Sequence, residues 1–295
     1  MDKLIHLFDV CDNFRVLKRA DELLQSDHEN SEEIYLYKIK AQIALFKEQE
    51  ALNTINEAIS RFPNNLNFYN EKAVALIDLA KFEDAKVCLK AVLNLDENNL
   101  TALNNLIFLL EESNANYEEI VSLCDRTIPL DNTDPSAYLT RATANRKLLN
   151  FNEAIIDIKK ALDLSIDDDI YLSMSHADLG LTYYDMKDYH SAKLQYDKAI
   201  ELDQDDPFYY IKLAQTLGEL GRIQEGIEEV GKAIDIDLKL YLAFAVRANL
   251  YRLLGDKKQA LFNLQRAKVL QNLQEKDPEG DRLITFLDNK IELNS

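Results

Sequence analysis

Apolar and polar positions along this chain follow a helical spacing, and the spacing itself recurs. Between Ser173 and Asp206, His176, Leu179, Gly180 and Tyr183 stand at i, i+3, i+4 and i+7, which is one face of a helix. Ala192, Tyr196 and Ala199 stand at i, i+4 and i+7 on a second face, and Lys187-Asp188 makes a tight break between the two. The pattern predicts two short helices packed on each other. Gly180 and Ala192 let the backbones approach, while Tyr183 and Tyr196 fill the space beside them. A helical hairpin this small cannot bury its own apolar face and needs a neighbour of the same kind.

The neighbours follow. At a step of 34 residues from Gly180, Tyr183, Ala192 and Ala199 come Ala214, Leu217, Gly226 and Ala233, then Ala248, Tyr251, Ala260 and Ala267. Leu202, Ile236 and Leu270 keep the same step. A sustained period of this length is the signature of a repeat solenoid. The order of large residue, Leu-Gly and Tyr, then Ala, Tyr and Ala, is carried here by His176, Leu179-Gly180, Tyr183, Ala192, Tyr196 and Ala199. It resembles the tetratricopeptide repeat family. The resemblance covers nearly the whole chain. It implies an all-α, right-handed superhelical solenoid of antiparallel helix pairs with a C-terminal capping helix, working as a protein-interaction scaffold.

In chain order the array is expected over residues 1–271 as eight units, 1–30, 31–65, 66–99, 100–134, 135–168, 173–206, 207–240 and 241–271, with a capping segment at 272–295. The first is degenerate, with Leu4, Ile5, Leu7 and Phe8 on a short helix and Val16, Ala20, Leu23 and Leu24 on the next. In the second, Lys40-Ala41 stands where the better repeats have Leu-Gly, so its inter-helix turn reads about two residues short. Pro63 ends its second helix. The fourth has an extra residue near Asn114-Ala115-Asn116, and Pro129 falls inside the last turn of its second helix. About four added residues at Asp169–Leu172 predict a break in regularity there, either a hinge or a plain loop insertion. Asp277-Pro278-Glu279-Gly280 reads as a turn. After it, Leu283, Ile284, Leu287 and Ile291 line one face of a half-polar cap.

Composition narrows the chemistry. Seven glycines and five prolines leave little room for a turn-rich β protein, and no stretch alternates with period two. No apolar run is long enough to span a membrane. The opening residues are interrupted by Asp9, Asp12 and Arg15 and do not read as a signal peptide. Cys11, Cys88 and Cys124 are odd in number and without paired spacing, as expected of free thiols in a reducing compartment. The expected location is cytoplasmic. The sequon Asn99-Leu100-Thr101 is then a chance match. Net charge is −18. The part up to Asp134 is the more acidic, with 13 Lys and Arg against 25 Asp and Glu. A field of that sign disfavours nucleic acid.

No Gly-rich phosphate cradle, His-Glu-x-x-His, Cys-x-x-Cys or Gly-x-Ser-x-Gly is present, and His6, His28, His176 and His190 form no local metal set. His176 holds a packing position. The acid pairs Glu111-Glu112 and Glu118-Glu119 read as surface charge, with nothing local to shift them. No cofactor, metal or catalytic residue is expected, and the chain is read as not an enzyme.

What remains is the face of the first helices that packing leaves over. Asn70, Asn104 and Asn105 offer amides that donate and accept, as an extended peptide backbone requires. Arg146 and Lys147 form a basic pair. Leu181, Tyr184, Phe208 and Ile211 make an apolar and aromatic floor, followed by Gln215, Asn249 and Arg252. Apolar residues on an unclaimed face point to a binding surface. The alternative is that neighbouring repeats or a self-dimer cover them. One subgroup of the resembled family clamps the C-terminal carboxylate of cytosolic chaperones with a Lys/Asn pair, an Asn and a Lys/Arg pair in three successive repeats. Here those places hold Lys38 and Gln42, Glu71, then Thr101 and Asn105, and the bases are mostly missing. The expectation is a non-catalytic scaffold or adaptor that binds a partner's peptide or helix in its concave groove. The alternatives are an assembly or secretion chaperone masking an apolar client segment, or the regulatory arm of an enzyme complex.

Overall fold

Every element among the described residues is an α-helix. The computed structural model describes residues 1–26, 31–113, 116–273 and 278–292. His28, the residues 114–115 of the expected insertion and Asp277 of the expected turn lie outside them, while residues 278–280 of that turn are helical instead. The chain divides into two compact units, Met1–Asn132 and Thr133–Ser295.

The first unit holds α1 (Asp2–Asp9), α2 (Asn13–Leu24), α3 (Ser31–Ala44), α4 (Glu48–Arg61), α5 (Leu66–Asp78), α6 (Phe82–Leu95), α7 (Leu100–Glu112) and α8 (Tyr117–Thr127). The second holds α9 (Pro135–Lys147), α10 (Phe151–Leu164), α11 (Asp169–Asp185), α12 (Tyr189–Leu202), α13 (Pro207–Glu219), α14 (Ile223–Ile236), α15 (Tyr241–Leu254), α16 (Lys257–Gln271) and α17 (Pro278–Glu292). Helices pair in order, each odd helix packing on the even one after it. Within each unit, successive odd helices also touch one another, whereas even helices touch no other even helix. One layer is therefore closer-spaced than the other, and each unit curves with its first helices inside.

Local chemistry sets the ends of these helices. Asp134 and Asp206 accept hydrogen bonds from the backbone N–H of Ser136 and Phe208, and a proline follows each at the first helical position. Proline has no N–H to satisfy there, so the pairing is a strong start signal. Asn99 caps α7 by accepting from Ala102 N–H, so its side chain is engaged in the fold. The turns within the pairs share a left-handed residue: Cys11, Phe46, Ala80, Leu149, Lys187, Gly221 and Gly255 have φ between 55° and 84°. Only two of these seven are glycine. The other five carry a Cβ against the following carbonyl, which costs roughly 1–2 kcal/mol each.

Packing follows the small-against-large rule. A Cβ built on Gly180 would lie 2.8 Å from the ring of Tyr196, which is fully buried. Gly180 is thus the recess that seats Tyr196. Tyr183, read as a core residue, is only half-buried at the edge of the same cluster.

Two sequence readings need correction. Ile39 and Ala73 each stand twelve residues before the alanine, Ala51 or Ala85, of the following helix. The turns 45–47 and 79–81 are equally long. Ile39, not Ala41, therefore occupies the small-residue place of the second repeat, and its turn is not short. The residues added at 169–172 are neither hinge nor loop. They lengthen α11 by about a turn, with Asp168 capping it by accepting from Ile170 and Tyr171 N–H. Pro129, expected inside the last turn, lies just past the helix: α8 stops at Thr127 and has 11 residues where α4 and α6 have 14.

Candidate functional site

The inner face of the second unit is built from one stripe each of α9, α11, α13 and α15, and α17 lies against it. Two stripes run along α17. Ile284, Leu287 and Ile291 are buried in one core with Ala245 and Ala248 of α15 and Leu264 and Ala267 of α16. This is the expected cap, and an ion pair between Lys268 and Asp288 fastens it. The other stripe, Glu279, Leu283 and Phe286 at i, i+4 and i+7, turns toward the inner face, and Leu283, expected on the cap face, packs against the cap core as well.

Glu279 reaches past α15 to α13. Lys212 Nζ donates to its Oε2 at 2.5 Å, and Gln215 Nε2 donates to its Oε1 at 2.8 Å. Lys212 is 7% exposed, and its ammonium also lies 5.0 Å from the centre of the Phe208 ring. Burial raises the Glu279 carboxyl, but the charge of Lys212 and the hydrogen bonds from Gln215 and Lys212 outweigh it and hold it below the usual carboxylate range. Leu283 forms one wall of a cavity of about 200 Å³, with Tyr184, Gln215, Asn249 and Leu253 on other sides. The Phe286 ring lies 5.5 Å from the Arg252 guanidinium, which donates two hydrogen bonds to Asn249 Oδ1 at 3.1 and 2.9 Å.

A second charged cluster adjoins this one. Arg146 is 9% exposed and donates from Nη1 to Asp185 Oδ2 at 2.7 Å. Asp178 stands near the same guanidinium. Burial pushes its carboxyl up to about 6, against the pull of Arg146.

The fold therefore uses several of the residues expected to face a partner. Arg146 is paired within the chain. Ile211 is 1% exposed and packed in the core. Arg252, Asn249 and Gln215 are bonded within the unit. Tyr184, Leu181 and Phe208 are half-buried, and Lys147 is exposed. Tyr184 sets its ring edge-on to Tyr189, with centroids 5.3 Å apart.

In the first unit, Asn104 is exposed and Asn105 half-buried, but Asn70 lies inside. Its Nδ2 donates to Asn99 Oδ1 at 3.1 Å, bracing the cap of α7. Burial raises the carboxyl of Glu71, offset in part by Lys40 at 3.7 Å. Glu111 is also raised, by burial and then by Glu112, which corrects the reading of that pair as unperturbed. His176 is confirmed in a packing role: Nδ1 lies 2.9 Å from Gln195 Oε1, and burial lowers its pKa. Among the described residues no set of His, Cys, Asp and Glu could hold a metal ion.

Sequence reasoning missed Lys212 and Glu279. A signal for the first existed. Glu71, Asp178 and Lys212 each stand two residues before the small packing residue, Ala73, Gly180 or Ala214. A charge at that place is carried to the inner face, beside the helix contact. The partner of Lys212 comes from 67 residues away, beyond the reach of any local pattern.

Comparison with known proteins agrees with this architecture. Residues 175–206 and 209–240 match the tetratricopeptide repeat model, and residues 38–122 match the model of the coatomer epsilon subunit. A tetratricopeptide repeat protein from Parabacteroides merdae superposes with a TM-score of 0.71 at 15% identity, over 87% of this chain and 98% of that one. The Cut9–Hcn1 hetero-tetramer of the APC/C gives 0.65 at 13% identity, over 93% and 52%. A STIP1 homolog of Dictyostelium discoideum is 30% identical over 110 residues, 36% of this chain and 20% of that protein. The Hsp70-Hsp90 organising protein of Plasmodium falciparum is 26% identical over 188 residues, 62% of this chain and 30% of that protein. The chain thus spans less than a third of either curated relative. Residues 175–206 and 209–240 are thus similar to tetratricopeptide repeats, and the fold of the chain is that of a tetratricopeptide repeat solenoid. Among the described residues no helix is long and apolar enough to cross a membrane.

Proposed function

We propose that the chain is a non-catalytic scaffold that binds a helix or peptide of a partner protein on the inner face of its second unit. The observation that supports this is the cavity beside Tyr184, where aromatic, amide and apolar side chains converge. Such a mixture suits a partner side chain anchored by contact and oriented by hydrogen bonds. Cys11, Cys88 and Cys124 form no disulfide, which fits a reducing compartment such as the cytoplasm. The test is the double change Tyr184→Ala/Phe208→Ala in a chain used to capture partners. Aromatic anchors typically dominate interfaces, so each should cost about 2 kcal/mol or more of binding. Captured proteins that persist at wild-type level, with the helical spectrum intact, would refute the assignment.

The curated relatives support a second reading, in which the partner is a chaperone. The clamp pattern does not favour it. With the second repeat in its structural register, Leu36 and Lys40 take the places first given to Lys38 and Gln42. Lys40 is engaged with Glu71, whose carboxylate would repel a peptide C-terminus. A peptide ending in Glu-Glu-Val-Asp should show no low-micromolar binding by calorimetry. Such binding, lost on removing the last residue, would revive the clamp.

A further inference from the structure

The cap requires only one stripe of α17. Ile284, Leu287 and Ile291 cover the end of the array, as a terminal repeat must be covered. In the second stripe Leu283 also packs against that core, but Glu279 and Phe286 are surplus to the task, and each of the three residues meets a matching feature. Glu279 satisfies an ammonium that α13 keeps buried, Leu283 borders the cavity, and Phe286 meets a guanidinium fixed by Asn249. Lys212 belongs to the receptor side: it is set in the first-helix layer, and a buried lysine without a counter-charge is costly. The contact is thus a carboxylate read by an ammonium and an amide, with an apolar residue four positions on and an aromatic seven positions on.

We propose that α17 is a resident copy of the ligand of this face. The partner is an amphipathic helix with a carboxylate in its first turn and apolar residues four and seven positions later, and it gains access by displacing α17. This rests on the inner face being the partner site. It adds the chemistry of the partner and the reason the face is closed without one. A helix tethered to the same chain acts at an effective concentration of about millimolar, so a free competitor of micromolar affinity is largely excluded.

The probe is a labelled peptide of residues 278–292. The receptor is the full chain, either wild type or carrying Glu279→Lys, Leu283→Asp and Leu287→Asp to unseat its own helix. Fluorescence anisotropy should show the peptide binding the unseated chain at least about 30-fold more tightly than wild type. Lys212→Met in the unseated chain, or Glu279→Gln in the peptide, should each weaken that binding about 10-fold, as for a buried charge pair deprived of one member. An unseated chain that is helical but ignores the peptide overturns the proposal. So does binding indifferent to Lys212, since α17 would then be a cap alone. Partner capture that still depends on Tyr184 and Phe208 would leave the broader functional reading standing. If the unseated chain does not fold, hydrogen exchange on the single variant Glu279→Gln decides. Amides of 282–284, the first bonded within the helix, should exchange about 10-fold faster while those of 287–291 keep their rate. Unchanged exchange in the first group overturns the proposal.

Discussion

Glu71 in the first unit and Glu279 in the second are both partly buried acids on an inner face, and they behave in opposite ways. Glu71 has Lys40 at 3.7 Å, and burial wins: its carboxyl is raised. Glu279 has Lys212 at 2.5 Å and a second donor in Gln215, and the partners win: its carboxyl is lowered. The repeat alone does not decide which outcome occurs. A first helix delivers a charged side chain to the inner face in either case. Only where a second element brings the matching group close enough does the cost of burial turn into a specific contact.

That contrast can be broken at three points, beginning with the scaffold under it. The largest effect is expected from Tyr196→Ala. It empties the recess made by Gly180 and should cost about 3–5 kcal/mol in chemical denaturation, as for a buried aromatic. The reverse change, Gly180→Leu, forces a side chain into the Tyr196 ring and should cost about 1–3 kcal/mol. A neutral result for both would mean that the small-against-large contact does not organise the second unit.

The intermediate effect concerns Asp178, an acid raised like Glu71 but set in the second unit. Its pKa in the folded chain is about 6, against an ordinary 3.8. The neutral form is therefore favoured by folding. That contribution is full below 3.8 and is lost as pH rises through about 6. Asp178→Asn should leave the melting temperature unchanged at pH 4 and raise it at pH 7.5, a gain on the order of 1–2 kcal/mol. A lower melting temperature at pH 7.5 would show instead that Arg146 needs this charge as well as Asp185. Glu279 has the opposite sign: its folded pKa is depressed, so its hold on α13 is present at neutral pH and is lost as pH falls through that lowered value.

The smallest effect sharpens the comparison by testing what both units share. Ala80→Gly in the first and Leu149→Gly in the second relieve a left-handed residue in equivalent turns. Each should be neutral or stabilise by up to about 1 kcal/mol, because relief of the Cβ clash is partly offset by the entropy of glycine in the unfolded chain. A marked loss of stability in either would mean that the turn side chain makes a contact the geometry does not show.

The repeats were legible because their determinants are local. Gly180, Ala192 and Tyr196 lie within one helical pair, and the spacing of such a pair is fixed by helix geometry. The register of the second repeat was not legible, because Ala41 imitates the small residue that Ile39 replaces. The added residues at 169–172 were misread for a related reason: spacing counts residues but does not say whether they coil into the next helix. The asparagines and arginines of the inner face were found as residue types, but their engagement was not. Asn70 is drawn to a cap 29 residues on, and Arg146 to an aspartate 39 residues on. The closing of the second unit's inner face depends on where α17 lies, which follows from packing across repeats and leaves no periodic trace.

The lengthened α11 bears on how such a chain can change in size. Its 17 residues exceed the 13 of α9 and α13 by four, close to one helical turn and about 6 Å of length. Because the extra turn precedes Ser173, every residue that packs downstream keeps its compass bearing. What changes is an overhang, where Ile170 is left mostly exposed. Insertions of a whole turn at the head of a first helix are thus edits the array can absorb. One or two residues inserted mid-helix would swing the packing stripe away from its neighbour by about 100° for each residue. Indels in an array of this kind should accumulate in steps of three or four, and at helix heads.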